Sequence, residues 1–234
     1  MKRRLSIAAM ALCAIGGLWA DQSAAPARPV LPAAERLVYD RTIGDKRDQV
    51  ETVSRLVSSK GETWYELTSR ASEQDLVLRL DPATLLATEV EVTSRGADAT
   101  LKRVTTILDD NKKAAPDEVV VSGFESLPYT LRAFPWGERQ KARISFLGAS
   151  TGGSFRFDLS VAGKETLQVG GMPVECWKAQ LSLGGIMGGF FGKSYLWYST
   201  AYPHYLVRSE SASGGPGSPT SVLTLASYYS SAGN

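Results

Sequence analysis

The chain has a single histidine, His204, and two cysteines, Cys13 and Cys176, so nucleophilic or acid–base chemistry has few residues to draw on. Gly148-Ala149-Ser150-Thr151-Gly152 fits the G-x-S-x-G nucleophile elbow, which needs a strand, a sharp turn and then a helix to expose its serine. Here the turn is followed by the alternating run Phe155, Phe157, Leu159, Val161, which reads as a strand, so a Gly/Ser hairpin turn is expected. A hydrolase would pair Ser150 (with Asp158) or Cys176 with His204. Cys176 lies between Glu175 and Trp177 in an expected strand and His204 follows Pro203 in a loop, a spacing that does not force them together. A buried cysteine in that place is a small apolar residue. One histidine and one cysteine downstream of Cys13 cannot complete a soft-ligand zinc site, and Asp109-Asp110-Asn111 lacks the glycine and spaced acids of a calcium loop. No phosphate loop or dinucleotide fingerprint occurs. The expectation is a non-enzymatic protein without metal or cofactor.

Two apolar segments stand out instead. Gly184–Gly192 has five glycines around Ile186, Met187, Phe190 and Phe191, large groups that loops avoid because exposure forfeits roughly 1.5–3 kcal/mol each. It reads either as a gate touching an apolar partner or as a plug folded into the end of a barrel. Ser122–Trp136 breaks the strand rhythm, with Phe124, Leu127 and Leu131 at helical spacing and Pro128 tolerable only in a first turn. It predicts a short helix or ordered loop crossing a sheet.

The elements around these segments are short alternating runs. Leu76, Leu78 and Leu80 share one face with Arg79 opposite, and Val90 and Val92 oppose Glu89 and Glu91. Period-two patterning with one wet face is the signature of an antiparallel sheet. Further runs begin at Leu37, Gln49, Thr63, Phe155, Glu165, Val174, Lys193, Tyr205 and Thr220, predicting ten to twelve strands with Gly44-Asp45, Lys60-Gly61 and Asp81-Pro82 as turns.

The N-terminus reads as a secretory signal: Lys2, Arg3 and Arg4, an apolar Leu5–Leu18, and a cleavage site at Ala20 before Asp21. The apolar run is short for a membrane span, which needs about 20 residues; an uncleaved anchor is the alternative. Leu12 before Cys13 departs from a lipoprotein signal, which has a small residue there. Residues 21–33, with Pro26, Pro29 and Pro32, predict an extended linker, and 34–234 one β domain. Removing Lys2, Arg3 and Arg4 takes the formal net charge from +2 to −1, a poor balance for binding nucleic acid.

Ser126–Trp136 (SLPYTLRAFPW) resembles the lS-x-x-yylR-x-lp stretch of an uncharacterised periplasmic domain-of-unknown-function family. Gly171–Lys178 resembles its G-x-f-x-c-x-k strand entry, and Trp197-Tyr198 with Tyr205–Arg208 resembles its closing hairpin. That last pattern is also similar to the lipoprotein-carrier and outer-membrane lipoprotein-sorting (LolA/LolB-like) proteins. The resemblance implies an all-β fold with minor α: a single curved antiparallel sheet forming a half-open barrel, covered by a short helix or loop lid. It assigns no catalytic residues. The leading expectation is a periplasmic or secreted binding protein for a lipid or other apolar small molecule, with at most peripheral membrane contact. Phe124, Leu127, Leu131, Arg132, Phe134 and Trp136 would form the lid, and Ile186, Met187, Phe190 and Phe191 the rim. Arg132 is read either as a contact to an anionic head group or as a structural hydrogen-bond donor. The alternative is an envelope-assembly or scaffold protein with a filled core, acting through a protein partner. Export predicts a periplasmic protein starting at Asp21; intact-mass measurement on the fractionated protein checks this, and retention of residues 1–20 would refute it.

Overall fold

A computed structural model of the chain describes residues 31–95, 100–106, 115, 117–146, 157–184, 192–212 and 217–231. The alternating runs become strands β1 (Ala34–Ile43), β2 (Lys46–Ser59), β3 (Glu62–Arg70), β4 (Gln74–Leu80), β5 (Ala87–Arg95), β6 (Thr100–Thr106) and β7 (Glu118–Val121). After a crossing segment come β8 (Lys141–Phe146), β9 (Phe157–Val169), β10 (Met172–Leu183), β11 (Ser194–Ser199), β12 (Leu206–Ala212) and β13 (Thr220–Ser231). The alternation does what the pleat requires: Leu78 and Leu80 are fully buried while Arg79 between them is exposed.

Among the described residues the thirteen strands form one open sheet in the order β6-β5-β4-β3-β2-β1-β13-β12-β11-β10-β9-β8-β7. Chain order and sheet order agree along each half, as hairpin connections dictate, and β1 pairs with β13 where the halves meet. The expected all-β sheet is there, with three differences. β6 and β7 were not legible, because β6 carries Lys102 and Arg103 at the sheet's edge and β7 has four residues. The runs from Phe155 and Glu165 merge in one strand, β9, because Gly163 at φ +140° absorbs a bulge opposite Lys178/Ala179. And β7 pairs with β8 in parallel rather than antiparallel. A parallel pair needs a long crossover to return the chain to the same end. Residues 122–140 are that crossover.

The sheet bends around it. Glu125 in the crossover pairs with Arg103 on β6 at 3.3 Å, and the neighbouring Phe124 packs on Phe146 of β8 with centroids 4.4 Å apart. In a flat sheet β6 and β8 lie eleven strand spacings apart, about 53 Å at about 4.8 Å each. Four side chains and one peptide link fall well short of that. The two ends of the ladder therefore curve toward the same segment without closing.

Three clusters of buried side chains hold this shape. One joins Leu127, Leu131, Phe134 and Trp136 of the crossover to Ile144, Leu159, Leu181, Leu196 and Tyr198. A second gathers Leu67, Leu78, Leu80, Leu85, Val90 and Val92, with Tyr129 of the crossover packed against it. Leu31, in the stretch read as linker, is buried in that second cluster, and its carbonyl accepts a hydrogen bond from Tyr65. The third centres on Leu37, Tyr39, Cys176, Trp197, Val207 and Leu225.

The crossover ends in a turn at Gly137, φ +87°, where an added Cβ would lie 3.1 Å from Cζ2 of Trp177. Gly61 has nearly the same φ, +85°, with nothing within 4 Å. Gly61→Ala should therefore cost only the backbone penalty, about 1 kcal/mol, and Gly137→Ala about 2–3 kcal/mol in urea unfolding. Equal losses would show that Trp177 does not press on this turn.

Candidate functional site

The crossover builds the site. Ser126 starts its helical part by bonding locally: its hydroxyl donates to the Gly123 carbonyl at 3.0 Å and accepts from the Gly123 N–H at 3.2 Å. Helix α1 (Leu127–Thr130) follows with Pro128 in its first turn, where the missing N–H costs no helical bond, and a 3-10 turn runs over Leu131–Ala133. Residues three and four apart then share a face. Leu127 and Leu131 face the first core cluster. Glu125, Pro128, Tyr129 and Arg132, the i, i+3, i+4, i+7 stripe, line a cavity of about 160 Å³ instead. Its opposite wall comes from β1 to β4, β12 and β13, with Leu37, Tyr39, Val50, Leu76, Leu206 and Leu223 supplying apolar surface and Thr52 and Ser69 a bonded hydroxyl pair at 3.1 Å.

Bonds to both halves of the sheet, to strands and to the turn between β4 and β5, fix the crossover over this cavity. The Thr130 hydroxyl donates to the Leu85 carbonyl at 3.1 Å, and the Tyr198 hydroxyl to the Pro128 carbonyl at 3.0 Å. Tyr129 hydrogen-bonds Thr52, and burial pushes its phenol up to about 12. The strongest anchor is Arg132. Its Nη1 and Nη2 form a two-pronged pair with the Glu35 carboxylate of β1, Nη2 at 2.9 Å from Oε2, and Nε donates to the Pro203 carbonyl at 3.0 Å. The side chains are 2 % and 0 % exposed. Burial pulls the Arg132 guanidinium's pKa down, but the charge and hydrogen bonds of Glu35 more than offset this and hold it above its ordinary value. Tyr228 adds a hydroxyl to Glu35 Oε2 at 3.4 Å.

Of the residues expected to form a lid, Phe124 is 56 % exposed and rests on Phe146 and Phe157. Leu127, Leu131, Phe134 and Trp136 lie together in the core, with Trp136 stacked on Tyr198 at 4.9 Å and its indole N–H donating to the Leu131 carbonyl. Arg132 alone of the six reaches the cavity, already committed to Glu35 and Pro203. Glu125, Pro128 and Tyr129 were missed, although the same helical spacing marks them as the stripe opposite Leu127 and Leu131. Ile186, Met187, Phe190 and Phe191 fall outside the described residues, as do Ser150, Asp109–Asn111 and residues 1–30.

Cys176 is fully buried and its thiol donates weakly to the Val174 carbonyl at 3.4 Å. Burial, with Glu165 and Glu175 nearby, pushes that thiol up to about 12, the reverse of what a nucleophilic cysteine requires. His204 holds φ +54° and its Nδ1–H donates to the Ser199 carbonyl at 2.9 Å, a bond that fixes the loop carrying Pro203. Among the described residues no group of three or more His, Cys, Asp and Glu is placed to hold a metal ion.

No family model and no curated protein matches the sequence. Solved structures do. The chain is similar to a β-barrel-like protein of the domain of unknown function DUF1849 from Brucella abortus, with TM-score 0.49 and 9 % identity over 86 % of this chain and 99 % of that one. It is also similar to the hypothetical lipoprotein YmcC from Escherichia coli, with TM-score 0.37 and 14 % identity over 87 % and 89 %. A LolA superfamily protein from Nitrosomonas europaea, of the group the sequence motifs resemble, gives TM-score 0.25 and 7 % identity over 88 % and 90 %.

Removing one member of a buried ion pair leaves the other charged and unsolvated, a loss of about 3–5 kcal/mol. Arg132→Met and Glu35→Gln should each destabilise strongly in urea unfolding, while the double variant loses less than their sum. The cycle should return a coupling of about 2 kcal/mol or more. Additive losses would mean that the pair does not hold the crossover.

Proposed function

We propose that the protein binds a lipid or other apolar molecule outside the cytoplasm, seating its hydrocarbon between the crossover and the centre of the sheet. The supporting observation is the cavity under α1, walled by aliphatic side chains from both halves of the sheet. Apolar cavities with few polar groups suit such ligands. At about 160 Å³ it admits the end of an alkyl chain, being smaller than the roughly 300–1,000 Å³ that encloses a drug-sized ligand.

The crossover is held unequally, which gives the cavity a way to lengthen. At the Arg132 end a buried, fully bonded pair fixes it to β1 and to the Pro203 loop. At the Phe124–Glu125 end the anchors are the half-exposed Phe124 ring on Phe146 and Phe157 and one pair with Arg103, whose side chain is 66 % exposed, and exposed pairs contribute at most about 1 kcal/mol. Lifting the weakly held end extends the cavity toward solvent while the other end stays in place. Arg132 then acts as the hinge support rather than as a head-group contact.

Native mass spectrometry of protein purified from its own cell envelope should show a co-purified lipid. The apo protein should bind a fluorescent apolar probe saturably, and Leu76→Trp, which fills the cavity from β4, should weaken that binding at least about tenfold without loss of the folded far-UV spectrum. Absence of both lipid and saturable binding would reject this reading and favour the scaffold alternative.

A further inference from the structure

Charge around the cavity restricts what its ligand carries at its polar end. Two charged residues line it, Glu125 and Arg132. The guanidinium is paired: one N–H each of Nη1 and Nη2 is on Glu35 and Nε is on the Pro203 carbonyl. Its positive charge is cancelled within the fold by a partner just as buried. Glu125 stands at the other end and is one-third exposed, whereas Leu37, Tyr39 and Arg132 at the inner end are nearly inaccessible. Glu125 is thus an accessible edge of the cavity, and a group that stays there when a chain enters sits beside a carboxylate.

Among the described residues that carboxylate pairs with Arg103, which reaches 3.3 Å to Oε1 from the sheet's edge, a contact that solvent screens. A hydroxyl or ammonium can take the place of Arg103 on Glu125. An incoming carboxylate or phosphate cannot take that place: facing the cavity it meets the like charge of Glu125, with Arg103 paired to Glu125 from outside the lining, the Ser69 hydroxyl as a neutral donor and no unpaired cation among the lining residues. Resting on the apolar-ligand reading above, we infer that the cavity selects alkyl chains with a hydroxyl or ammonium end and discriminates against free fatty-acid anions, with Glu125 as the selecting group.

Decanol, decylamine and decanoate share one chain length and differ at the head, and each can be titrated against a bound apolar probe at pH 7.5 and low salt. Decanol and decylamine should displace the probe with decanoate at least about tenfold weaker, and Glu125→Gln should bring decanoate to within about threefold of decanol. Decanoate binding as tightly as decanol would overturn the inference and leave the apolar-ligand reading standing. Discrimination that persists unchanged in Glu125→Gln would overturn the role of Glu125. Failure of all three compounds to displace a bound probe, or of the probe to bind, would overturn the cavity as the ligand site and the inference with it.

Discussion

The pair between Arg132 and Glu35 is the constraint from which the rest of this structure follows. Two opposite charges lie inside the curve of the sheet with almost no solvent contact, tolerable because each guanidinium nitrogen has an acceptor. The pair links residue 132, in the crossover, to residue 35, near the start of the domain, and through Pro203 to the loop between β11 and β12. Three parts of the chain far apart in sequence are thus fixed to one point. A single helical turn such as α1 is unstable in isolation, so it depends on tertiary anchors of this kind.

The parallel pairing of β7 and β8 explains why a crossover exists at all. An antiparallel meander could have closed this side with a tight turn; the parallel step forces the chain from one end of the sheet back to the same end. The returning segment covers the concave side, and its two faces have different tasks. Leu127, Leu131, Phe134 and Trp136 pack into the half built from β8 to β12, while Glu125, Pro128, Tyr129 and Arg132 look toward the other half across a gap. The segment combines a buried ion pair at one end with a solvent-exposed one at the other. Leu85, fully buried at φ +57°, shows the same economy: its side chain fills the second cluster while its carbonyl receives Thr130.

Much of the architecture could be read from residue order. Leu76-Leu78-Leu80 and Val90-Val92 declared their strands because alternation is a local property of a pleated backbone with one wet face. Pro128 with Leu127 and Leu131 declared the short helix for the same local reason. β6 was hidden because its charges interrupt the alternation at the end of the described sheet, and the parallel step was hidden because direction is not encoded in any single strand.

At the site the division is sharper. By itself the sequence determined that a short helix or ordered loop interrupts a β sheet and that catalytic and metal-binding residue types are scarce, since both are matters of residue type and local period. Which stripe of that segment meets the core, which lines a gap, and that Arg132 finds Glu35 ninety-seven positions away were decided only by the tertiary structure. An isolated arginine in sequence reads equally as a ligand contact or as half of an ion pair. The difference lies in whether a carboxylate is brought beside it in the absence of water, which only the curvature of the assembled sheet can arrange.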